Sequence, residues 1–243
     1  MPRFQIVKEQ IRKGHVTITG ADRKHIVKSL RLGVGDGITL FDGSGVEHEA
    51  VITEIGAKNL VAWVVGSSQS ATESTLWITL CQGLTKGAKM DLVVQKSTEL
   101  GVNRIVPMIS ERCDVRTTRR VERWRRIAGE AAKQSGRNAP PEVTSPRRFD
   151  QCLSIDAESS RGVLFYEGGE YGGNIVGIDR ISKDGITGLI ALVGPEGGFS
   201  GAEVRAAYEA GFHICGLGPR TLRAETAGIV AVTLLQHLFG DLS

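Results

Sequence analysis

TGLIALVGPEGGFS, residues 187–200, opens as an unbroken apolar run and then breaks into a glycine-rich bend. A run this short, closed by Gly194-Pro195, reads as a strand buried on both faces, as in a parallel sheet. Ser200 followed by Glu203 fits a capping box, which predicts a helix over 200–210. A second strand at 212–217 runs into LGPRTLRAETA (217–227), and the apolar spacing beyond it predicts a helix over 224–239. Ligands of open α/β sheets sit beyond the carboxyl ends of the strands, where both bends lie.

Further strands are expected at 76–81, 103–109 and 162–166, and helices at 87–100 and 118–135. Apolar strands interleaved with helices imply a mainly parallel sheet covered on both faces. A small polar stretch, Gly66–Ser74, separates this pattern from a β-rich one. Strands are expected there at 15–19, 37–41, 46–52 and 60–65, the middle two joined as a hairpin through Asp42-Gly43-Ser44-Gly45. Asp22–Arg31 reads as a helix with Ile26, Val27 and Leu30 inward and Arg23, Lys24, Lys28 and Arg31 largely outward. Two domains follow, 1–70 and 71–243, in an α/β chain.

Composition narrows the class. The chain has 243 residues, 41% hydrophobic and 23% charged, which excludes wholesale disorder. Its apolar runs fall far below the ~18–20 residues that span a bilayer. The first residues show no apolar export segment, and the four cysteines are scattered without a CxxC pair, so reduced thiols in a cytoplasm are expected. The phosphate-loop signature is absent, Gly216-Leu-Gly218-Pro-Arg-Thr221 lacks a third glycine, and no GxSxG elbow is present. The five histidines show no metal-binding spacing, so no metal is expected.

Charge is uneven: +7 over 80–150 against −5 over 151–243. A polyanion partner on one face and plain solvated helix faces both account for this. In the first bend Glu196 disfavours a triphosphate; a carboxylate accepts hydrogen bonds from sugar hydroxyls and tolerates a cation, which suits an adenosyl group carrying a sulfonium. A pair of purely structural turns is the alternative.

GPEGGFS (194–200) paired with LGPRTLRAETA (217–227) resembles the C-terminal motifs of the 16S rRNA uridine-N3 methyltransferases, the RsmE family of the SPOUT superfamily. HIVKSLRLGVGDGITLFDGSG (25–45), KGAKMDLVVQKSTELGVNRIVPMISERC (86–113) and EAAKQSGRNAPPEV (130–143) match the same pattern in order, and 147–186 is the weak stretch. The resemblance implies a trefoil-knotted methyltransferase domain behind a PUA-like, RNA-binding β-barrel. S-adenosylmethionine is then the cofactor, with Leu192, Gly194, Pro195, Glu196, Gly197, Leu217, Gly218, Leu222 and Thr226 around its adenosyl group. It also implies a homodimer acting on 16S rRNA of the small ribosomal subunit. The apolar helix 226–239 fits burial by a partner or within one subunit.

Uracil N3 becomes nucleophilic only when its proton leaves, so an arginine beside the carbonyl oxygens would favour the anion. Arg223 is the first candidate and Arg220 the second; an Arg223–Glu225 ion pair is the structural alternative. Glu225 and Glu99 are the candidate bases, though each could equally cap a helix or pair with an arginine. Residues 112–126 hold seven arginines. Val121, Trp124 and Ile127 form the inward stripe of that helix, with Trp124 either core or a base-stacking platform. Candidate rRNA contacts are Arg3, Arg23, Lys24, Arg31, Lys86, Lys89, Lys96, Arg112, Arg119, Arg120, Arg123 and Arg137, with Arg126 on the same outward helix face as Arg119, Arg120 and Arg123. Rival readings are a non-enzymatic ribosome-assembly factor and a SPOUT enzyme acting on a ribose 2′-hydroxyl or on transfer RNA.

Overall fold

The computed structural model describes residues 1–7, 10–41, 46–69, 72–155, 160–168, 177–178 and 181–242. The chain forms two compact units, Met1–Glu73 with Ala132–Pro140, and Ser74–Ala131 with Pro141–Ser243. The hairpin expected at 42–45 lies outside the described residues.

In the first unit β1 (Arg3–Gln5), β2 (Ile11–Arg12), β3 (His15–Thr19), β4 (Gly37–Phe41), β5 (Val46–Ile55) and β6 (Asn59–Gln69) form one sheet ordered β1-β4-β5-β6-β3-β2. Among the described residues only the β1–β4 pair of this sheet is parallel. Strand β3 alternates, Val16 and Ile18 inward and its other residues exposed, and packs with Ile38, Leu40, Ile52 and Leu60 into one core. Among the described residues no pairing joins β1 to β2, so the expected barrel is open at that seam.

The helix expected over 22–31 differs from its sequence reading. A short α1 (Gly20–Lys24) widens into a π-helical turn at 25–29, with Leu30 N bonded to His25 O at 3.0 Å. The wider turn leaves Ile26 buried but Leu30 exposed. Arg23 is not free on the outer side: its Nε donates to Gly56 O and Asn59 O at 3.1 and 3.2 Å.

Glu73 explains why 132–140 clusters with this unit. Its carboxylate takes Arg137 Nη2 at 2.7 Å and Asn138 N at 2.9 Å, and Arg3 Nη2 donates to Asn138 Oδ1 at 2.7 Å.

The second unit holds β7 (Trp77–Gly83), α2 (Lys89–Glu99), β8 (Arg104–Ile109), α3 (Val121–Ser135, its end grouped with the first unit), β9 (Glu142–Val143), β10 (Arg147–Arg148), α4 (Phe149–Cys152), β11 (Arg161–Phe165), β12 (Gly188–Val193), α5 (Gly201–Glu209), β13 (His213–Cys215) and α6 (Ala224–Phe239). The sheet is parallel throughout and ordered β10-β8-β7-β12-β11-β13, with β9 also on β8. Leu189, Ala191 and Val193 of β12 face a core shared with α2, α3 and α6. Ile190 and Leu192 face another, shared with α4 and α5. Strand β12 is buried at every position, because helices cover both sides of the sheet. The expected capping box is present: Glu203 N donates to Ser200 Oγ at 3.3 Å and Ser200 N to Glu203 Oε2 at 3.0 Å. All four cysteines are buried and free, and among the described residues no helix is long and apolar enough to cross a membrane.

Candidate active site

Three neighbouring strands, β12, β11 and β13, end on the same side of the sheet, and their following loops enclose a cleft of about 290 Å³. The bend after β12 closes on itself through Gly198 N to Pro195 O at 2.9 Å. Its backbone lies so close to the end of β7 that a Cβ on Gly83 would stand 2.3 Å from Pro195 N. Gln82 Nε2 donates to Gly194 O at 3.3 Å and ties the bend to the same strand. In the bend after β13, Gly218 has φ +96 with open space where a side chain would project, a conformation glycine adopts without strain.

Of the residues expected around a cofactor, Gly194, Pro195, Glu196, Leu217, Gly218 and Leu222 line this cleft. Three do not. Leu192 is fully buried, its side chain in the core against α4 and α5. Gly197 lies against Arg112, and Thr226 is exposed on the first turn of α6. Val193, Phe165, Leu217 and Leu222 supply apolar wall and the glycine bends supply open backbone, a combination that fits an adenine-ribose group.

Glu196 is not the bare carboxylate that its sequence position suggests. Its Oε1 accepts from Lys89 Nζ at 2.8 Å and from Lys86 N at 3.2 Å. Burial pushes its pKa upward, yet these hydrogen bonds and the Lys89 charge outweigh burial and hold it below the usual carboxylate value. Lys89 therefore belongs to the cleft, where sequence reasoning placed it on the RNA surface. Its ion pair offsets the repulsion expected toward a triphosphate.

Arg220 and Arg223 both line the cleft and are exposed, and no Arg223–Glu225 ion pair forms. Arg223 is the N-cap residue of α6, which fixes its backbone at the cleft edge. The two acids expected as bases are elsewhere. Glu225 does not line the cleft, and one of its oxygens is buried without a hydrogen-bond partner. Glu99 pairs with Lys96 at 2.9 Å. Sequence reasoning missed Tyr166 and Glu167, which enter the cleft directly after β11. The carboxyl-end rule, applied to the strand expected at 162–166, points at both.

Most of the arginine-rich segment is exposed but engaged. Arg112 Nη1 donates to Gly197 O at 3.3 Å, Arg120 to Gly87 O, and Arg123 pairs with Asp91 at 2.9 Å. The hydrogen bond to Asp91, and then the charge of that carboxylate, raise the Arg123 pKa. Lys86 pairs with Asp114 at 2.7 Å on an exposed surface. Lys24, Arg31, Arg119 and Arg126 are exposed. Trp124 is core: it is 2% exposed, and its Nε1 donates to Asp91 Oδ1 at 3.0 Å. Arg137, expected on the RNA surface, is 4% exposed and committed to Glu73, so it leaves that set. Arg3 is engaged too, pairing with Glu47 at 2.9 Å.

The fold is a parallel α/β sheet with a cleft at its strand ends, and the class it belongs to is that of the RNA methyltransferases. A family model for the RNA methyltransferase domain matches residues 72–236, and one for the RNA methyltransferase PUA domain matches 18–62. The ribosomal RNA small subunit methyltransferase E of Bacillus subtilis is 32% identical over 242 residues, spanning 96% of this chain and 94% of its own length. The crystal structure of the Neisseria gonorrhoeae ribosomal RNA small subunit methyltransferase E bound to S-adenosyl methionine superposes with a TM-score of 0.85 at 35% identity, covering 100% of both chains. A Legionella pneumophila methyltransferase in complex with the same cofactor gives 0.82 at 32% identity, covering 99% of each chain. The chain belongs to the ribosomal RNA small subunit methyltransferase E family.

Proposed function

We propose that this chain transfers a methyl group from S-adenosylmethionine to N3 of a specific uridine in 16S rRNA of the small ribosomal subunit. The observation that carries the reading is the cleft itself: two glycine-bearing bends, apolar walls and two arginines that make no ion pair among the described residues, at adjoining strand ends, in a chain of this family. When bound, the cofactor supplies an electrophilic methyl carbon on a sulfonium.

The residues of the chain do the rest. Gly194, Pro195, Glu196, Leu217, Gly218 and Leu222 hold the adenosyl group, with the backbone of Leu192 and Gly197 and the start of α6 at Thr226 supporting the bends. Arg223, with Arg220 beside it, donates to the uracil carbonyl oxygens and favours the N3 anion in a site prepared before the base arrives. The bends after β12 and β13 belong to a trefoil knot. Support comes from the sheet order, in which β13 lies beyond β11 while α6 returns to pack over β12 and β7.

In this reading residues 1–70 are an RNA-binding module and 71–243 the catalytic domain. Lys24, Arg31, Lys86, Arg112, Arg119, Arg120 and Arg123 meet rRNA phosphates, with Arg23, Lys96 and Arg3 at the margin. The protein works in the cytoplasm as a homodimer through α6, whose residues Ile229 and Val230 are only partly buried. Mass mapping of 16S rRNA from a strain lacking the gene tests the reading. One uridine should lose about 14 mass units, the mass of one CH₂, and regain them on complementation. Unchanged rRNA would overturn it.

A further inference from the structure

Removal of the proton from uracil N3 needs an acceptor, and the cleft holds one that neither Glu225 nor Glu99 supplies. Besides the Lys89–Glu196 pair, the charged side chains lining it among the described residues are Glu167, Arg220 and Arg223. Glu196 already accepts from Lys89 and from a backbone N–H. Glu167 is exposed, and among the described residues its carboxylate has neither a hydrogen bond nor an ion pair. Its place in the sheet is specific. It follows β11, which is hydrogen-bonded to β12 on one side and β13 on the other, and Tyr166 N extends the pairing to Cys215 O at 2.9 Å. The strand between the two bend-bearing strands thus delivers a free carboxylate into the cleft that those bends enclose.

We propose that Glu167 is a catalytic residue, the general base for uracil N3 and a determinant of uracil over cytosine; this rests on the methyl-transfer reading above. The imide edge of uracil presents acceptor, donor, acceptor. A carboxylate accepts where the imide donates, and the guanidinium groups of Arg220 and Arg223, which line the same cleft, supply donors for the two carbonyl oxygens. Cytosine N3 carries a lone pair and no proton, so against Glu167 it sets acceptor to acceptor, and the site rejects it. In the reaction a Glu167 oxygen takes the N3 proton and the N3 electron pair forms the new N–C bond to the methyl carbon. The S–CH₃ bond breaks with its pair left on sulfur, giving a neutral thioether. The protonated Glu167 then returns its proton to water.

The test uses the full chain with small-subunit substrate. Glu167→Gln keeps shape and removes the charge; it should lower the methylation rate by about 10²–10⁴-fold near neutrality. Its affinity for S-adenosylhomocysteine, measured by calorimetry, should stay that of the wild type. The residual rate should climb with pH as hydroxide takes over deprotonation, where the wild-type rate levels off. Added formate should partly rescue Glu167→Ala. A near-normal rate and pH profile in Glu167→Gln would overturn the proposal, and so would lost S-adenosylhomocysteine affinity, which would place Glu167 with the cofactor instead. A wild-type chain that binds the cofactor but leaves uridine unmodified removes the underlying reading, and the proposal with it.

Discussion

Lys89 Nζ lies 2.8 Å from Glu196 Oε1, so the first residue of α2 holds the carboxylate of the bend after β12. The side chains are 35% and 31% exposed, so the pair contributes at most about 1 kcal/mol. Its value to the cleft is positional: it fixes the bend from the helix side while Gln82 fixes it from the strand side.

The pair makes stability depend on pH in a defined direction. Folding lowers the Glu196 pKa from its ordinary 4.5, so the unfolded chain binds the proton first on acidification. The stabilisation is complete above that ordinary value and is lost as pH falls through the lowered one. Thermal unfolding should therefore show a gap between wild type and Glu196→Gln that is constant above pH 4.5 and closes below it. A gap that persists in acid would remove the ion pair as its cause.

Arg223→Ala should keep S-adenosylhomocysteine binding and lose methyl transfer by about 10²-fold or more, the usual cost of removing a donor aimed at developing negative charge. Arg220→Ala should cost less. Calorimetry paired with single-turnover methylation separates the effects, and near-normal turnover in Arg223→Ala would take that arginine out of the mechanism.

The strands and helices that build the cleft were legible because they are long and strongly patterned. The strand read at 187–193 is observed at Gly188–Val193, and the helix read at 224–239 is observed at Ala224–Phe239. Arg3–Gln5, Ile11–Arg12 and the strand pairs at 142–148 were not, since two or three residues carry no period. The π-helical turn at 25–29 escaped because a helical wheel assumes 3.6 residues per turn. At the site, the two bends announced themselves through glycine and proline. Lys89 did not, because its partner Glu196 is distant in sequence, and a lysine at a helix start reads as surface. Arg137 shows the converse: composition counts an arginine as exposed until the fold is seen to bury it against a carboxylate, here Glu73.

Gly83 gives a prediction that composition does not suggest. A Cβ there would stand 2.3 Å from Pro195 N and 2.7 Å from the Gly194 carbonyl carbon, both backbone atoms. Gly83→Ala must push the bend after β12 off the end of β7, at about 1–3 kcal/mol of stability. S-adenosylhomocysteine affinity should drop with it, though residue 83 does not line the cleft. Wild-type affinity in a folded Gly83→Ala chain would show that the bend tolerates displacement.

RNA binding should weaken steeply with salt, because each phosphate contact releases counterions. Arg119 is the cleanest single test, since it is exposed and has no ion pair among the described residues. Arg119→Ala should lower the slope of log affinity against log salt by about one and leave cofactor binding alone. Filter binding across a salt series measures this, and a flat response in the wild type would count against the arginine face.

Arg137 should behave in the opposite way. Its guanidinium is 4% exposed and lies 2.7 Å from Glu73, a carboxylate that also accepts from Asn138 N at 2.9 Å. Arg137→Met keeps much of the volume and strands that carboxylate, which is 24% exposed, so the loss should be on the order of 3 kcal/mol, the low end for a broken buried pair. Adding Glu73→Gln should recover part of it by removing the stranded charge. The salt slope of RNA binding, measured below the melting temperature, should not change in either variant. A reduced slope with stability intact would return Arg137 to the RNA surface and would mean that the Glu73 pair opens when the nucleic acid arrives.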